Sequence, residues 1–175
     1  ESAALTKMPS LAPPNLILMS QTELHNALIA QPQQRNMHNR IFGGFLMRRA
    51  FELAFSTAYL FGGSRPKFVE VDDISFLHPV DVGDLLILHS RVLYSLPDGG
   101  DLQLDGKNPL MMIEVEAWVT SPETVQSKMS NKFHFTFSLP GKDTCKKVVP
   151  ANLAEGKRMA ARIFADRDQA GLKVH

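Results

Sequence analysis

The segment His38-Asn39-Arg40-Ile41-Phe42-Gly43-Gly44-Phe45-Leu46-Met47-Arg48-Arg49-Ala50-Phe51-Glu52-Leu53-Ala54 decides how the rest of the chain folds. Paired glycines let the backbone turn tightly and come close to a ligand. A helical pattern follows them to about Phe61, where Gly62-Gly63 supplies a C-cap. Between Phe45 and Phe61 the clearly polar positions are Arg48, Arg49, Glu52, Ser56 and Thr57. Arg48, Glu52 and Ser56 recur every fourth residue on one stripe, with Arg49 beside them. Everything else is apolar, so the pattern predicts a helix over 45–61 that is surrounded on most sides and mostly buried. Two arginines and a glutamate inside the run argue against a membrane span. The spacing makes this helix the axis of a domain, with a sheet wrapped round it.

Working outward, the period changes from helical to two after Gly62-Gly63-Ser64-Arg65-Pro66. Val69 and Val71 share one face, Ile74 and Phe76 the other, and the slip at Asp72-Asp73 predicts a bulge. His78-Pro79 ends that strand and Asp81-Val82-Gly83-Asp84 is a turn. Leu86, Leu88, Val92 and Tyr94 line one face of a strand reaching about Ser95, and Pro97 to Pro109 is a polar hairpin loop. A strand over 110–120 turns Met111, Ile113, Val115, Ala117 and Val119 inward and Glu114 and Glu116 outward. In the last strand Phe133, Phe135, Phe137 and Leu139 alternate with Lys132, His134, Thr136 and Ser138, so His134 is read as a surface residue. Upstream, residues 1–21 with Pro9, Pro13 and Pro14 read as an arm on the surface, and Leu24 to Gln31 as a first strand ended by Pro32. A terminal helix begins at Asn152, with Glu155 as capping-box partner and Met159, Ala160 and Ile163 as a modest apolar stripe. One helix on one curled antiparallel sheet is an α+β layout. The divisions are an arm over 1–21, a domain over 22–140 and an extension with a peripheral helix over 141–175.

Composition bounds the function. The chain has 175 residues, 44% of them hydrophobic, and a formal net charge of +1. That suffices for a sizeable core and argues against both disorder and a nucleic-acid surface. A single cysteine, Cys145, excludes a disulfide framework and a cysteine-rich zinc site, and is read as an incidental surface thiol. The chain starts at Glu1 with no signal-peptide pattern, which leads us to expect a processed form or an excised domain.

Three motifs at their mutual spacing resemble the acyl-coenzyme A thioesterases of the hotdog fold. They are Asn39-Arg40-Ile41-Phe42-Gly43-Gly44-Phe45-Leu46-Met47, Val71-Asp72, and Phe76-Leu77-His78-Pro79-Val80-Asp81-Val82-Gly83-Asp84. Residues 22–140 correspond to one hotdog unit: a curled antiparallel sheet round one long helix. The continuous match from Gln31 to Tyr94 is most similar to the second unit of the two-domain type 9 mitochondrial thioesterases and their plant relatives. The resemblance implies hydrolysis of fatty acyl-coenzyme A, no metal and no cofactor beyond the coenzyme A of the substrate. It implies a mitochondrial, plastid or other organellar location, although no targeting segment is visible.

It also implies roles for residues. A helix N-terminus presents unpaired N–H groups and partial positive charge, so the turn of Phe42, Gly43, Gly44 and Phe45 would bind the substrate carbonyl as it becomes an oxyanion. Relatives orient water with an asparagine before the glycine pair and an aspartate on the central helix, drawn from two facing units. Asn39 is the first choice for that asparagine and His38 the second. The aspartate falls on Phe51, which cannot act as a base. Its neighbour Glu52 lies about 100° round the helix. The chain therefore resembles the half of a composite site that supplies donors and amide, with the acid expected from a second hotdog unit, either another copy or an N-terminal domain.

Plainer readings stand beside these. Glu52 pairs equally well with Arg48 at a spacing of four. His38, Asn36 and Asn39 are natural loop and turn residues. Arg65 and Lys67 at the rim suit either coenzyme phosphates or an ordinary solvated turn. His38 with Glu52 superficially mimics the pair used by hotdog hydratases and dehydratases, and a non-catalytic acyl-coenzyme A-binding half is the third alternative.

Overall fold

Alternation of apolar and polar residues builds the sheet, and the glycine pair starts the helix that lies on it. A computed structural model of the chain describes residues 13–102 and 104–171. The elements are β1 (Leu16–Leu18), β2 (Leu24–Ile29), α1 (Gly43–Gly62), β3 (Lys67–Phe76), β4 (Leu85–Leu96), β5 (Leu110–Ser121), β6 (Gln126–Ser138), β7 (Lys147–Val149) and α2 (Leu153–Gln169). Strands β2 to β6 form one antiparallel sheet in the order β2-β4-β5-β6-β3. The helix packs on its inner face, the α+β hotdog layout expected from the sequence.

Ala50, Ala54 and Ala58 recur every four residues on α1, flanked by Leu46, Leu53 and Thr57, and all six are buried. Small side chains in that row let the helix approach the sheet closely. Opposite lie Leu86, Leu88, Val92, Ile113, Val115, Phe133, Phe135 and Phe137, all in the same core. Thr57 donates to the Leu53 carbonyl at 3.0 Å, and its hydroxyl lies 2.7 Å from Ser90 Oγ, so this polar pair is satisfied inside the core. The helix ends where Gly63 takes φ of 62° and returns its N–H to Tyr59.

Among the described residues, only one side of α1 is covered. Phe45, Met47, Phe51 and Phe55 are half-buried, and Tyr59 and Leu60 are exposed. The enclosure expected on most sides is thus not provided by the described residues, because an apolar stripe records that a face is to be covered and not by what.

The expected bulge is present: the β3–β6 register shifts between Asp72 and Ser75. Phe68, Val71 and Phe76 consequently pair with Phe137, Phe135 and Asn131 and face inward. A second shift, between Phe68 and Glu70, breaks the simple pairing of Val69 with Val71. A further one between Val92 and Tyr94 moves Tyr94 off the face of Leu86 and Leu88. Its hydroxyl instead donates to Asp166 of α2, on the opposite side of the sheet.

The outer face differs most from expectation. Glu114 and Glu116, although turned outward, are only 2% and 4% exposed because α2 covers them. Arg158 donates to Glu114 at 2.7 Å and Glu116 at 3.1 Å, Lys132 lies within 3.4 Å of both, and His134 lies 3.3 Å from Glu114. His134 is therefore partly buried in an ionic cluster and is not a surface residue. The helix that covers this cluster buries Arg162 and Asp166 more deeply than its apolar stripe. Arg162 binds Asp72 at 2.6 Å and also pairs with Asp166. Its cap is Asn152, which accepts from Glu155 N at 2.9 Å, while the Glu155 carboxylate accepts from Ala151 N at 2.8 Å and from the Asn152 side-chain amide at 3.3 Å, not from the Asn152 backbone N–H.

Residues 1–12 of the expected arm lie outside the described residues. The described remainder is only partly surface: Pro13, Pro14, Asn15, Ser20 and Gln21 are exposed, whereas Leu16, Leu18 and Met19 are buried and β1 pairs in parallel with β7. Ser95 ties that pair to the sheet, donating to Lys146 O at 2.7 Å and accepting from Val148 N at 3.1 Å. Cys145 packs against the core beside it, and burial pushes its thiol up to about 11, so it is no surface thiol.

The cluster under α2 makes a prediction. Burial opposes ionisation of Glu114, but His134, Lys132 and Arg158 outweigh it and bring its pKa from 4.5 to about 2. A depressed folded pKa stabilises the protein above the unfolded value, and that stability is lost as pH falls through the folded one. Arg158→Ala is expected to cost about 1–2 kcal/mol at neutral pH, discounted for the partial exposure of the guanidinium. Chemical denaturation should show the difference shrinking as pH falls below about 4.5. A pH-independent difference would mean that α2 is held by packing.

Candidate active site

The site begins in the loop before α1. Asn36 organises it: its Oδ1 accepts from His38 N at 2.9 Å and Arg40 N at 3.2 Å, and its own N–H reaches Arg40 O. Asn39 turns the chain at φ of 61°, a left-handed conformation that asparagine tolerates better than most residues. Ile41 N donates to Val80 O, and Phe42 N to Gln34 O, so the backbone enters the helix on a fixed line.

Phe42 is the N-cap, with extended backbone and no side-chain cap. The first helical N–H groups, those of Gly43 and Gly44, have no intrahelical acceptor by the geometry of a helix start. They are two free donors at the positive end of a 20-residue helix. A Cβ at Gly44 would stand 2.4 Å from the Phe42 ring, and one at Gly43 would stand 3.2 Å from the Phe76 ring. Aromatic rings thus flank the donors as closely as glycine alone permits.

A groove of about 400 Å³ opens at this end of the helix. Gly43 and Leu46 of α1, Phe76 and His78 from the end of β3 and its loop, Arg40, and Asn131 of β6 line it. Of the residues singled out from the sequence, Gly43 is in its wall. Phe42, Gly44 and Phe45 belong to the same helix start but do not line the groove in this chain alone.

The remaining candidates are placed apart. Asn39 is exposed, and its Oδ1 accepts from Arg35 Nη1 at 3.2 Å. His38 is exposed, and among the described residues its ring has no hydrogen-bond partner. Glu52 sits on the outer stripe with Arg48 and Arg49 each at 3.0 Å. The hydrogen bond from Arg48, aided by Arg49, lowers its pKa despite some desolvation, which makes its carboxylate a weaker base. Phe51, at the position of the relatives' aspartate, is embedded in rings: Phe55, Phe68, Phe135 and Phe137 all lie within 6.2 Å, centre to centre. Of the rim cations, Lys67 is paired with Asp105 at 2.6 Å.

Sequence reasoning passed over Asn131. It stands in the inward row of Phe133, Phe135 and Phe137, and a polar residue in that row was the sign that could have found it.

Comparison with known proteins places this geometry in context. No described family profile matches the chain. It is 50% identical over 172 residues to "Acyl-coenzyme A thioesterase 4, mitochondrial" of Humulus lupulus, and 47% identical over 173 residues to that plant's "Acyl-coenzyme A thioesterase 2, chloroplastic". Each match covers 95% of this chain but only 31% and 38% of those proteins. The human "Acyl-coenzyme A thioesterase 9, mitochondrial" is 46% identical over 125 residues, 71% of this chain and 26% of that one. The chain therefore spans about a third of the length of its curated relatives. Among solved structures, an acyl-CoA hydrolase of Staphylococcus aureus, described in complex with butyryl coenzyme A and coenzyme A, superposes with a TM-score of 0.71 at 22% identity. It covers 89% of this chain and 94% of its own. An apo-hexameric acyl-CoA thioesterase gives 0.74 at 20% identity over 89% and 95%. At these identities the structures establish the hotdog fold.

The helix start makes the second prediction. Gly44→Ala adds a Cβ that must push the Phe42 ring aside, while alanine is favoured over glycine in a helix by about 1 kcal/mol. The melting temperature should hold or rise while affinity for a coenzyme A thioester falls several-fold in a calorimetric titration. Unchanged affinity would detach the Gly43–Gly44 donors from the ligand site.

Proposed function

We propose that this chain, a homologue of the organellar acyl-coenzyme A thioesterases that shares their hotdog architecture, forms the donor half of a thioesterase active site. The observation that carries this is the uncapped start of α1, with Gly43 and Gly44 presenting free N–H groups beside a groove. A fatty acyl-coenzyme A ester enters with its carbonyl oxygen toward those donors. Water attacks the carbonyl carbon, the oxygen becomes an oxyanion held by the N–H groups and helix dipole, and collapse expels the coenzyme A thiolate. Each such donor is typically worth about a hundred- to a thousandfold in rate. No metal or redox cofactor enters these steps.

Water activation comes from elsewhere. Phe51 is a half-buried aromatic packed against the core and Glu52 is engaged by two arginines, so α1 offers no free carboxylate near the groove. A second hotdog unit supplies the acid and at the same time covers the open face of α1 around Phe45, Phe51, Phe55 and Leu60. Among the described residues the sheet ends, β2 and β3, are unpaired edges, which such a pairing would close. We place the protein in a mitochondrion or plastid on the names of its relatives. Among the described residues no helix is long and apolar enough to cross a membrane.

Incubating the complete protein with a fatty acyl-coenzyme A and with an enoyl-coenzyme A separates the possible chemistries. Thiol release from both, with light scattering showing an oligomer at micromolar concentration, is the expected result. Loss of the enoyl chromophore without thiol would indicate hydration by His38 and Glu52, and binding without either change would indicate a non-catalytic half. A clean monomer would count against the two-unit site.

A further inference from the structure

Asn131 occupies a position that the fold gives to apolar residues. It pairs with Ala117 on β5 and Phe76 on β3, continues the inward row of Phe133, Phe135 and Phe137, and is 1% exposed. The β5–β6 register shifts beside it, making Ser130 the extra residue of a bulge. Bulges re-aim side chains, and they concentrate next to active sites. Asn131 lies in the wall of the groove together with Gly43 at the helix start.

Its amide is half satisfied. Oδ1 lies 2.6 Å from Ser130 Oγ, whereas the buried Nδ2 has no partner. Ser130 Oγ also lies 2.8 Å from the carbonyl oxygen of His78. A hydroxyl has one proton, so it cannot donate to both oxygens. With the amide turned over, its NH₂ donates to Ser130 Oγ and that hydroxyl donates to His78 O. The two ends of an amide differ only in their hydrogens, and the bonding partners decide between them. The carbonyl oxygen of Asn131 is then the end left without a protein partner. An acceptor cannot bind the thioester carbonyl, which has no proton to give, but it can bind a water O–H.

We infer that Asn131 holds the attacking water in the groove, on the far side of the thioester carbon from the Gly43–Gly44 donors. This rests on the thioesterase reading above and adds a residue to it. The amide neither gains nor loses a proton: it accepts one O–H of the water and so aims a lone pair at the carbon. The proton lost by the water on attack goes to the carboxylate of the second unit and then to the departing thiolate.

Asn131→Leu and Asn131→Asp in the complete protein test this, with three readouts: thiol release from a fatty acyl-coenzyme A, affinity for its non-hydrolysable thioether analogue, and melting temperature. Leucine removes a buried amide with one end unpaired, so the melting temperature should rise or hold, analogue affinity should stay within about threefold, and turnover should fall about a hundredfold or more. Aspartate keeps an acceptor of the same shape, so it should recover part of the turnover, with activity declining as pH falls and the carboxyl protonates. Leucine turnover within threefold of the parent would overturn the inference while leaving the thioesterase reading intact. If the parent releases no thiol while still binding the analogue, the thioesterase reading fails and the inference falls with it.

Discussion

The structure depends on one contact: the alanine row of α1, flanked by Leu46, Leu53 and Thr57, against the inner face of a curled five-stranded sheet. Burial of that face is the main source of stability, at about 25 cal/mol per Å² of apolar surface. It also fixes where the helix begins. Because Ile41 and Phe42 are tied to Val80 and Gln34, the first turn is held at the groove and cannot slide along the sheet. The donors of Gly43 and Gly44 are therefore positioned by core packing, which is what preorganised stabilisation of an oxyanion requires.

The same contact leaves the other side of the helix open. Phe45, Phe51 and Phe55 stay half-buried, and Leu60 is 72% exposed. A chain whose central helix is covered on one side is built to be covered on the other. The lone carboxylate of α1, Glu52, is held by two arginines, which points the same way. An aspartate at residue 51 would sit among Phe55, Phe68, Phe135 and Phe137, where its charge would be poorly solvated. The aromatic cluster and the catalytic acid exclude each other at that position, and in this account they are divided between two units.

Local periodicity made most of the fold legible. The 3.6-residue pattern located α1 to within two residues at its start, the alternation from Phe133 to Leu139 defined the inward face of β6, and the slip at Asp72-Asp73 marked a true bulge. What failed was non-local. The pairing of Leu16–Leu18 with Lys147–Val149 joins three-residue strands from opposite ends of the chain, too short to show a period. Tyr94 was misplaced because an extra residue at Leu93 leaves no mark in a row of apolar side chains. Glu114, Glu116 and His134 read as solvent-facing because alternation identifies the face of a strand and not what covers it. The glycine pair was read as the helix start that the structure shows. Asn131 was missed because its meaning lies in its neighbours: a lone asparagine on a strand says nothing until Ser130, His78 and the groove are seen together.

Thiol release is the measurement that tests the two-unit account most directly. It should be made on this chain alone and on the same chain joined to an upstream hotdog unit with an aspartate on its central helix. The account predicts that the chain alone binds coenzyme A esters yet turns over about a hundredfold or more slower, the usual worth of water activation. Equal turnover by the two would show that groups within this chain suffice, and would contradict the division of the site between units.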